Sequence, residues 1–330
     1  MSKEKDISVF ATISQSMPGN FEIDDNDRNH LEDDVRKMLK DNVRALSMIQ
    51  PLIKKGTSET FRNSSGSLYE FLVDNEICIH CPSKLSKCPK KRVGYLLHPV
   101  YDKDRDEIKN ELRECQYQQE KEKALNLIEP CYNSKEAIYK AMDKTLSFLR
   151  EPGNSSKMMD TTKLITEVAK TALSFDKEKK YKGYHIRSIN SQTLDRDVMM
   201  AITYIYTKGN IRVGYINCYK FFAGLVDKDW IVQDEAKRVY QKMIHVPVLM
   251  LENLNNIPQV NDEILMTYLY GLLQERVKAG KITYCTTSTS IGAKNLIYSK
   301  LRNLACGNEA SKLADMIFEE KAIKDFDVRP

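Results

Sequence analysis

Apolar residues recur three and four positions apart near the start of the chain. Leu31, Val35, Met38, Leu39 and Val43 follow one another with charge between them, the period of one helix face, and predict a helix over 26–55. Pro51 marks a kink or break in it, and Gly56 a stop. The Ser-rich run Asn63–Ser67 reads as a joint, and the short apolar segment LYEFLVDN follows it. The plain expectation for this region is a small helical bundle. Helical patterns return over 135–150, closed by Pro152-Gly153-Asn154-Ser155, and over 158–174.

From Tyr181 the period changes. YKGYHIRSI, NIRVGYINCYKFF, HVPVLMLENL and KITYCTTSTS read as strands, and the third holds the apolar run Val248–Leu251. Between them DVMMAITYIYTKG, residues 231–244 and NDEILMTYLYGLLQERVKAG read as helices, the last stopped by Gly280. Buried strands alternating with helices predict a parallel sheet covered on both faces. The charged stretch QYQQEKEKALNLI at 116–128 precedes this half. It puts the domain boundary between about 120 and 135, drawn at 130/131.

Composition narrows the class. The 330 residues are 42% apolar and 29% charged, a globular balance that excludes a disordered chain. The net charge of +5 comes from 51 basic and 46 acidic residues. That permits contact with nucleic acid without arguing for it, because no single-sign field is implied. No apolar run is long enough for a bilayer, and the first 25 residues lack the apolar core of a signal peptide. A cytoplasmic protein without a membrane partner is expected. Of the 8 Cys, three fall in one short window, which in a reducing compartment suggests metal rather than disulfides.

With a fourth Cys downstream, the stretch that this window opens reads CIHCPSKLSKCPKKRVGYLLHPVYDKDRDEIKNELREC. Cys78 and Cys81 form a C-x2-C pair, Cys88 follows, and His98 and Cys115 lie downstream. Two thiolates on such a turn grip one zinc ion, and two further ligands close a tetrahedron. Five candidates stand for four positions, and a closed set is structural. His80, inside the C-x2-C turn, reads as exposed. Lys84, Lys87, Lys90, Lys91 and Arg92 crowd the loop, either facing phosphate or an acidic partner, or simply solvated.

The order Cys78, Cys81, Cys88, Gly94-Tyr95, Cys115 resembles the helicase-interaction domain of DnaI-type loaders over about residues 66–120. The resemblance implies that the module binds zinc and docks on the replicative helicase. Residues 181–325 resemble the AAA+ domain of the DnaI/DnaC loaders. Lys182-Gly183-Tyr184 introduces the first core strand, Val248-Leu249-Met250-Leu251 matches the strand carrying the Walker B acids, Asp262-Glu263-Ile264-Leu265 opens the next helix, and Tyr284–Ser288 matches the first-sensor strand. The fold class implied is an N-terminal helical zinc-binding module, 1–130, followed by an AAA+-like α/β domain, 131–330.

The catalytic positions depart from that pattern. A phosphate loop needs glycines so that backbone N–H groups wrap the phosphates, a Lys for the outer phosphates and a hydroxyl for magnesium. Here the strand-to-helix turn is Asn190-Ser191-Gln192-Thr193-Leu194-Asp195-Arg196-Asp197, with no glycine, Arg196 in place of Lys and Asp197 in place of the hydroxyl. Gly280-Lys281 lacks the upstream glycine and offers no replacement. The paired Walker B acids become Glu252-Asn253, the sensor Asn becomes Thr286-Thr287-Ser288-Thr289, and the late helix SKLADMIFEEK offers Lys312 where an arginine is expected.

The expectation is therefore a scaffold in bacterial DNA replication. It binds a hexameric replicative helicase through its N-terminal module, carries zinc, and neither needs nor hydrolyses ATP. Single-stranded DNA and self-association stay open as further partners. The alternatives are an active ATPase with an unusual loop, or a zinc-bearing nucleic-acid-binding regulator, which the basic loop fits and the near-neutral remainder does not.

Overall fold

The computed structural model describes residues 25–83, 85–141, 159–176, 179–188, 194–287 and 291–323. The chain divides into two compact units, Met1–Gln118 and Gln119–Pro330.

The first unit contains α1 Asp25–Asp41, α2 Val43–Ile53, the single turn α3 Thr60–Asn63 and α4 Ser65–Ile79, followed by strands β1 Tyr95–Asp102 and β2 Glu107–Glu114. Val35 and Leu39 of α1, Ala45 and Ile49 of α2, and Leu68, Phe71 and Leu72 of α4 bury one core together with Ile108 of β2. The expected long helix is interrupted at Asn42 and not at Pro51, which stays inside α2. Asn42 starts a new helix by accepting a hydrogen bond from the Ala45 N–H at 2.9 Å, the work of an N-cap. The Ser-rich joint is also no loose linker. Ser64 is buried, and its Oγ accepts from the Ile108 N–H at 2.6 Å.

The helices expected up to the Cys cluster are present, and a hairpin that the sequence did not announce follows them, its strands pairing antiparallel from Tyr95–Glu114 to Asp102–Glu107. Its second strand, EIKNELRE, buries Ile108 and leaves Leu112 47% exposed. Little apolar alternation was there to read. Asp106 ties the hairpin turn to α3. Its carboxylate accepts from the Thr57 N–H at 3.2 Å, Thr60 Oγ1 at 2.6 Å, Tyr101 OH at 2.9 Å and Thr57 Oγ1. Those donors, the Thr57 and Thr60 hydroxyls foremost, hold its pKa down to about 2.

In the second unit the elements are α5 Gln116–Asn126 (the division falls within it), β3 Ile128–Tyr132, α6 Met159–Leu173, β4 Gly183–Ser188, α7 Leu194–Lys208, β5 Val213–Asn217, α8 Cys218–Leu225, α9 Trp230–His245, β6 Val248–Glu252, α10 Asp262–Ile264, α11 Gly271–Lys278, β7 Ile282–Thr286, α12 Ala293–Leu301, α13 Gly307–Ile317 and β8 Phe318–Ile323. A π-helical turn, Leu265–Tyr270, joins α10 to α11. The helix expected over 135–150 is described only to residue 141. The sequence boundary at 130/131 falls inside β3.

The sheet order is β3-β5-β6-β7-β4-β8, and every pairing is parallel. Alternate residues of β6 serve opposite cores. Val248 and Met250 join Val198, Met199 and Ile202 of α7 and Leu164 and Val168 of α6. Leu249 and Leu251 join residues of α8, α9, α11, α12 and α13. The expected parallel sheet covered on both faces is present. Gly183 shows how closely its strands approach, because a Cβ there would lie 1.7 Å from the Thr283 carbonyl oxygen of β7. Two edge strands went unrecognised in the sequence, β3 and β8. FEEK, expected to continue a helix, is strand in β8, where Glu319 and Glu320 give an edge no apolar signature.

Arg276 of α11 is fully buried, and among the described residues it pairs with no carboxylate. It donates from Nε to Thr283 Oγ1 at 2.7 Å and from Nη1 to the carbonyls of Met243 and Val246 at 2.6 and 2.9 Å. Nη2 reaches the Pro247 and Ile282 carbonyls. The guanidinium thus caps the carboxyl end of α9 and fastens it to β6 and β7. No helix among the described residues is long and apolar enough to cross a membrane.

Candidate functional site

The chain leaves β4 across β7 and β6 to reach β5, and leaves β7 across β4 to reach β8. Connections departing in opposite directions from two adjacent strands open a crevice beyond their carboxyl ends, the place where open α/β sheets bind ligands. The first turn of α7 and the last residues of β6 and β7 supply side chains at this edge of the sheet.

Arg196 and Glu252 meet there. Arg196 Nε lies 3.1 Å from Glu252 Oε1. Asn133, just past β3, donates from Nδ2 to Glu252 Oε2 at 2.8 Å, so each oxygen of this buried carboxylate has its own donor. Asn133 was not singled out from the sequence, because no motif announces a partner 119 residues away in the chain. Beside them Tyr215 of β5 is wholly buried. Burial first, and then the Glu252 charge, push its pKa up.

Asp195 is buried in the first turn of α7, and its Oδ1 accepts from the Arg196 N–H at 2.8 Å. Burial foremost, opposed by local N–H donors and reinforced by the charges of Glu252 and Asp197, raises its pKa to about 7. Asn190 and residues 191–193 of the expected phosphate-loop turn lie outside the described residues, as do Ser288 and Thr289.

Asn253 sits at φ +62°, a left-handed conformation that Asn adopts more readily than most residues. The bend turns its N–H onto Thr286 Oγ1 at 2.9 Å, and the Leu254 N–H onto the Thr286 carbonyl at 2.9 Å. Thr287 is spoken for as well. Its Oγ1 lies 2.8 Å from His185 Nε2, and the Nδ1 side of the same ring faces Glu320 of β8. Burial is the largest influence on His185 and lowers its pKa, with Glu320 opposing. Thr286 and Thr287, expected at the sensor position, therefore brace the loop after β6 and the β4–β8 edge. Lys312 is exposed on α13.

The zinc candidates belong to the first unit. Cys78 lies in the last turn of α4. Cys81 follows the turn, its N–H donating to the Cys78 carbonyl at 3.1 Å. Cys88 follows the short helical turn Leu85–Lys87, His98 faces Glu111 across the hairpin, and the Cys115 N–H donates to the Gly94 carbonyl at 2.8 Å. The four thiols are free and half-buried, a donor chemistry that suits zinc. Among the described residues, however, no three His, Cys, Asp or Glu side chains are gathered into a metal-holding group. Burial and Arg113 lower the His98 pKa, against Glu111. His80 is exposed, as expected. Lys90 of the basic loop turns inward. Its ammonium is buried and paired with Asp74 Oδ2 at 2.6 Å.

No family model matches the chain, and no curated protein matches its sequence. Among solved structures it is similar to DnaI, with 17% identity and a TM-score of 0.47 over 63% of this chain and 100% of that one. It is similar to the DnaC helicase loader, with 18% identity and a TM-score of 0.42 over 57% of this chain and 99% of that one. A third likeness is to the replication initiator DnaA bound to AMPPCP and single-stranded DNA, with 16% identity and a TM-score of 0.36 over 53% of this chain and 48% of that one.

Proposed function

We propose that this chain is a loader-like partner of a replicative helicase, an AAA+-like scaffold in DNA replication that does not turn over ATP. The observation that carries the ATP reading is the state of Glu252. A Walker-type acid must be free to hold magnesium and its hydration water, whereas Glu252 is engaged on one oxygen by Arg196 and on the other by Asn133. The next residue is an amide, and the turn before Arg196 has no glycine with which to wrap phosphate.

The helicase reading is supported by the order of the cysteine-bearing first unit and the parallel sheet, together with the loader-like spacing of Cys78, Cys81, Cys88, Gly94-Tyr95 and Cys115. The first unit carries the helicase-binding surface and one zinc ion. Single-stranded DNA and further copies of the chain are secondary partners. Co-purification of the full chain with the replicative helicase of its own host tests the partner. A stable complex whose stoichiometry is unchanged with or without Mg-ATP supports the proposal. Failure to bind, or binding that requires ATP hydrolysis, overturns it.

A further inference from the structure

The first unit leaves apolar side chains uncovered beside its cysteine-bearing loop. The Lys90 ammonium reaches Asp74 Oδ2 at 2.6 Å and the Tyr95 carbonyl at 3.3 Å, and the Leu97 N–H donates to the same Asp74 oxygen at 3.0 Å. These bonds draw the start of β1 against the end of α4. Ile77, three residues after Asp74, shares its helix face. Tyr95 and Leu97 share one face of the hairpin, and Leu112 stands opposite Leu97. Val93 precedes them across the turn at Gly94, φ +85°. Ile77, Val93, Tyr95 and Leu112 are all exposed. The cause is the position of the core, which closes on Ile108 near the other end of the hairpin, so α4 ends at Ile79 without covering Tyr95 or Leu112.

The loop bordering these side chains carries charge of one sign. Between His80 and Gly94 it holds Lys84, Lys87, Lys90, Lys91 and Arg92 and no acid. Lys90 is neutralised by Asp74. Lys87, Lys91 and Arg92 are exposed. Acids on the flanking elements leave that excess in place. Glu76 is two residues from Asp74, on a different face of α4. Glu111 lies 3.6 Å from Arg113, and Glu114 is already engaged.

We infer that the helicase docks on this surface through an acidic and apolar segment, its aliphatic side chains against Ile77, Val93, Tyr95 and Leu112 and its carboxylates on Lys87, Lys91 and Arg92. This rests on the reading of the chain as a helicase partner and assigns the surface within the first unit. Exposed apolar side chains rimmed by charge mark protein interfaces, and a rim of one sign steers the encounter with a partner of the other. Single-stranded nucleic acid fits less well. It needs stacking rings along a continuous cationic track, whereas one ring, Tyr95, stands here among three aliphatic side chains.

The test follows association and dissociation of the full chain with the replicative helicase of its own host. Lys91→Glu combined with Arg92→Glu should slow association and weaken affinity by roughly tenfold or more, and the unaltered chain should bind more weakly as salt screens the pairing. Leu112→Ser should speed dissociation. Lys87→Glu, at the other end of the loop, should act in the same direction as the double change, and thermal unfolding like that of the parent shows each variant folded. A parent chain that binds helicase no better than its folded variants overturns the inference and leaves the helicase reading standing. A parent chain that does not bind helicase overturns both. Single-stranded oligothymidylate that displaces helicase from the parent, and no longer binds the double variant, makes the face a nucleic-acid surface and also overturns the inference.

Discussion

Arg196, in the first turn of α7, and Glu252, the last residue of β6, form an ion pair with Nε 3.1 Å from Oε1. The two positions are 56 residues apart in the sequence. Their pairing sets the chain's own guanidinium against a buried carboxylate at the sheet edge.

The pair makes two expectations separable. Mg-ATP titrated calorimetrically into the full chain gives no saturable heat, and no phosphate is released. Arg196→Ala leaves helicase binding nearly unchanged but lowers stability by roughly 1–3 kcal/mol, the cost of leaving a buried carboxylate short of a donor. Adding Glu252→Gln recovers part of that loss, and the double-mutant cycle measures how much. Micromolar ATP binding with turnover that Arg196→Ala abolishes would show a working active site.

Asp195 gives the site a pH signature. Its folded pKa of about 7 lies above the ordinary carboxylate value of about 3.9, so the folded state holds a proton that the unfolded state has released. Stability contributed by this group is therefore full below about pH 4 and declines as pH rises toward 7. Asp195→Asn keeps the acceptor for the Arg196 N–H and removes the titration. It should stabilise the chain at pH 8 by about 1–2 kcal/mol and have little effect near pH 4, as read from denaturant midpoints across pH. Equal effects at both pH values would exclude an ionisation of Asp195.

Arg276 tests the core. It serves the Met243, Val246, Pro247 and Ile282 carbonyls and Thr283 Oγ1. Burial lowers its pKa to about 9, which leaves it charged at neutral pH. Arg276→Met removes the donors while filling much of the volume, and should cost on the order of 3 kcal/mol or more through stranded buried acceptors. Arg276→Lys, a compact ammonium without the planar fork, recovers only part. Thermal unfolding of the full chain checks both.

Zinc is expected at about one equivalent per chain, held by four of Cys78, Cys81, Cys88, His98 and Cys115. Elemental analysis of protein purified without added metal measures it. Cys78→Ser should remove the zinc and raise amide exchange through the first unit, because metal binding and folding are coupled in small modules. Cys131→Ser should leave the metal content unchanged. Metal-free protein with a protected first unit would exclude the zinc centre.

The sequence by itself determined the parallel sheet and its two covering layers, because four consecutive apolar residues at 248–251 and their counterparts in β5 and β7 leave no polar face for water, and the helical periods between them are long. It also marked Arg196, Glu252 and Asn253 as altered positions, since residue identity alone excludes a glycine wrap or a second acid. Tertiary structure decided the rest. The edge strands β3 and β8 and the hairpin β1–β2 carry polar side chains on exposed faces, so their pairing rests on backbone hydrogen bonds that no hydropathy pattern records. Asn42 rather than Pro51 ends the first helix, because a cap acts through geometry. The partners of Glu252, the pairing of Lys90 with Asp74 and the reach of Arg276 to the Met243 and Val246 carbonyls join residues from different elements, and which partner reaches a buried charge is settled only when the packed layers fix their separation.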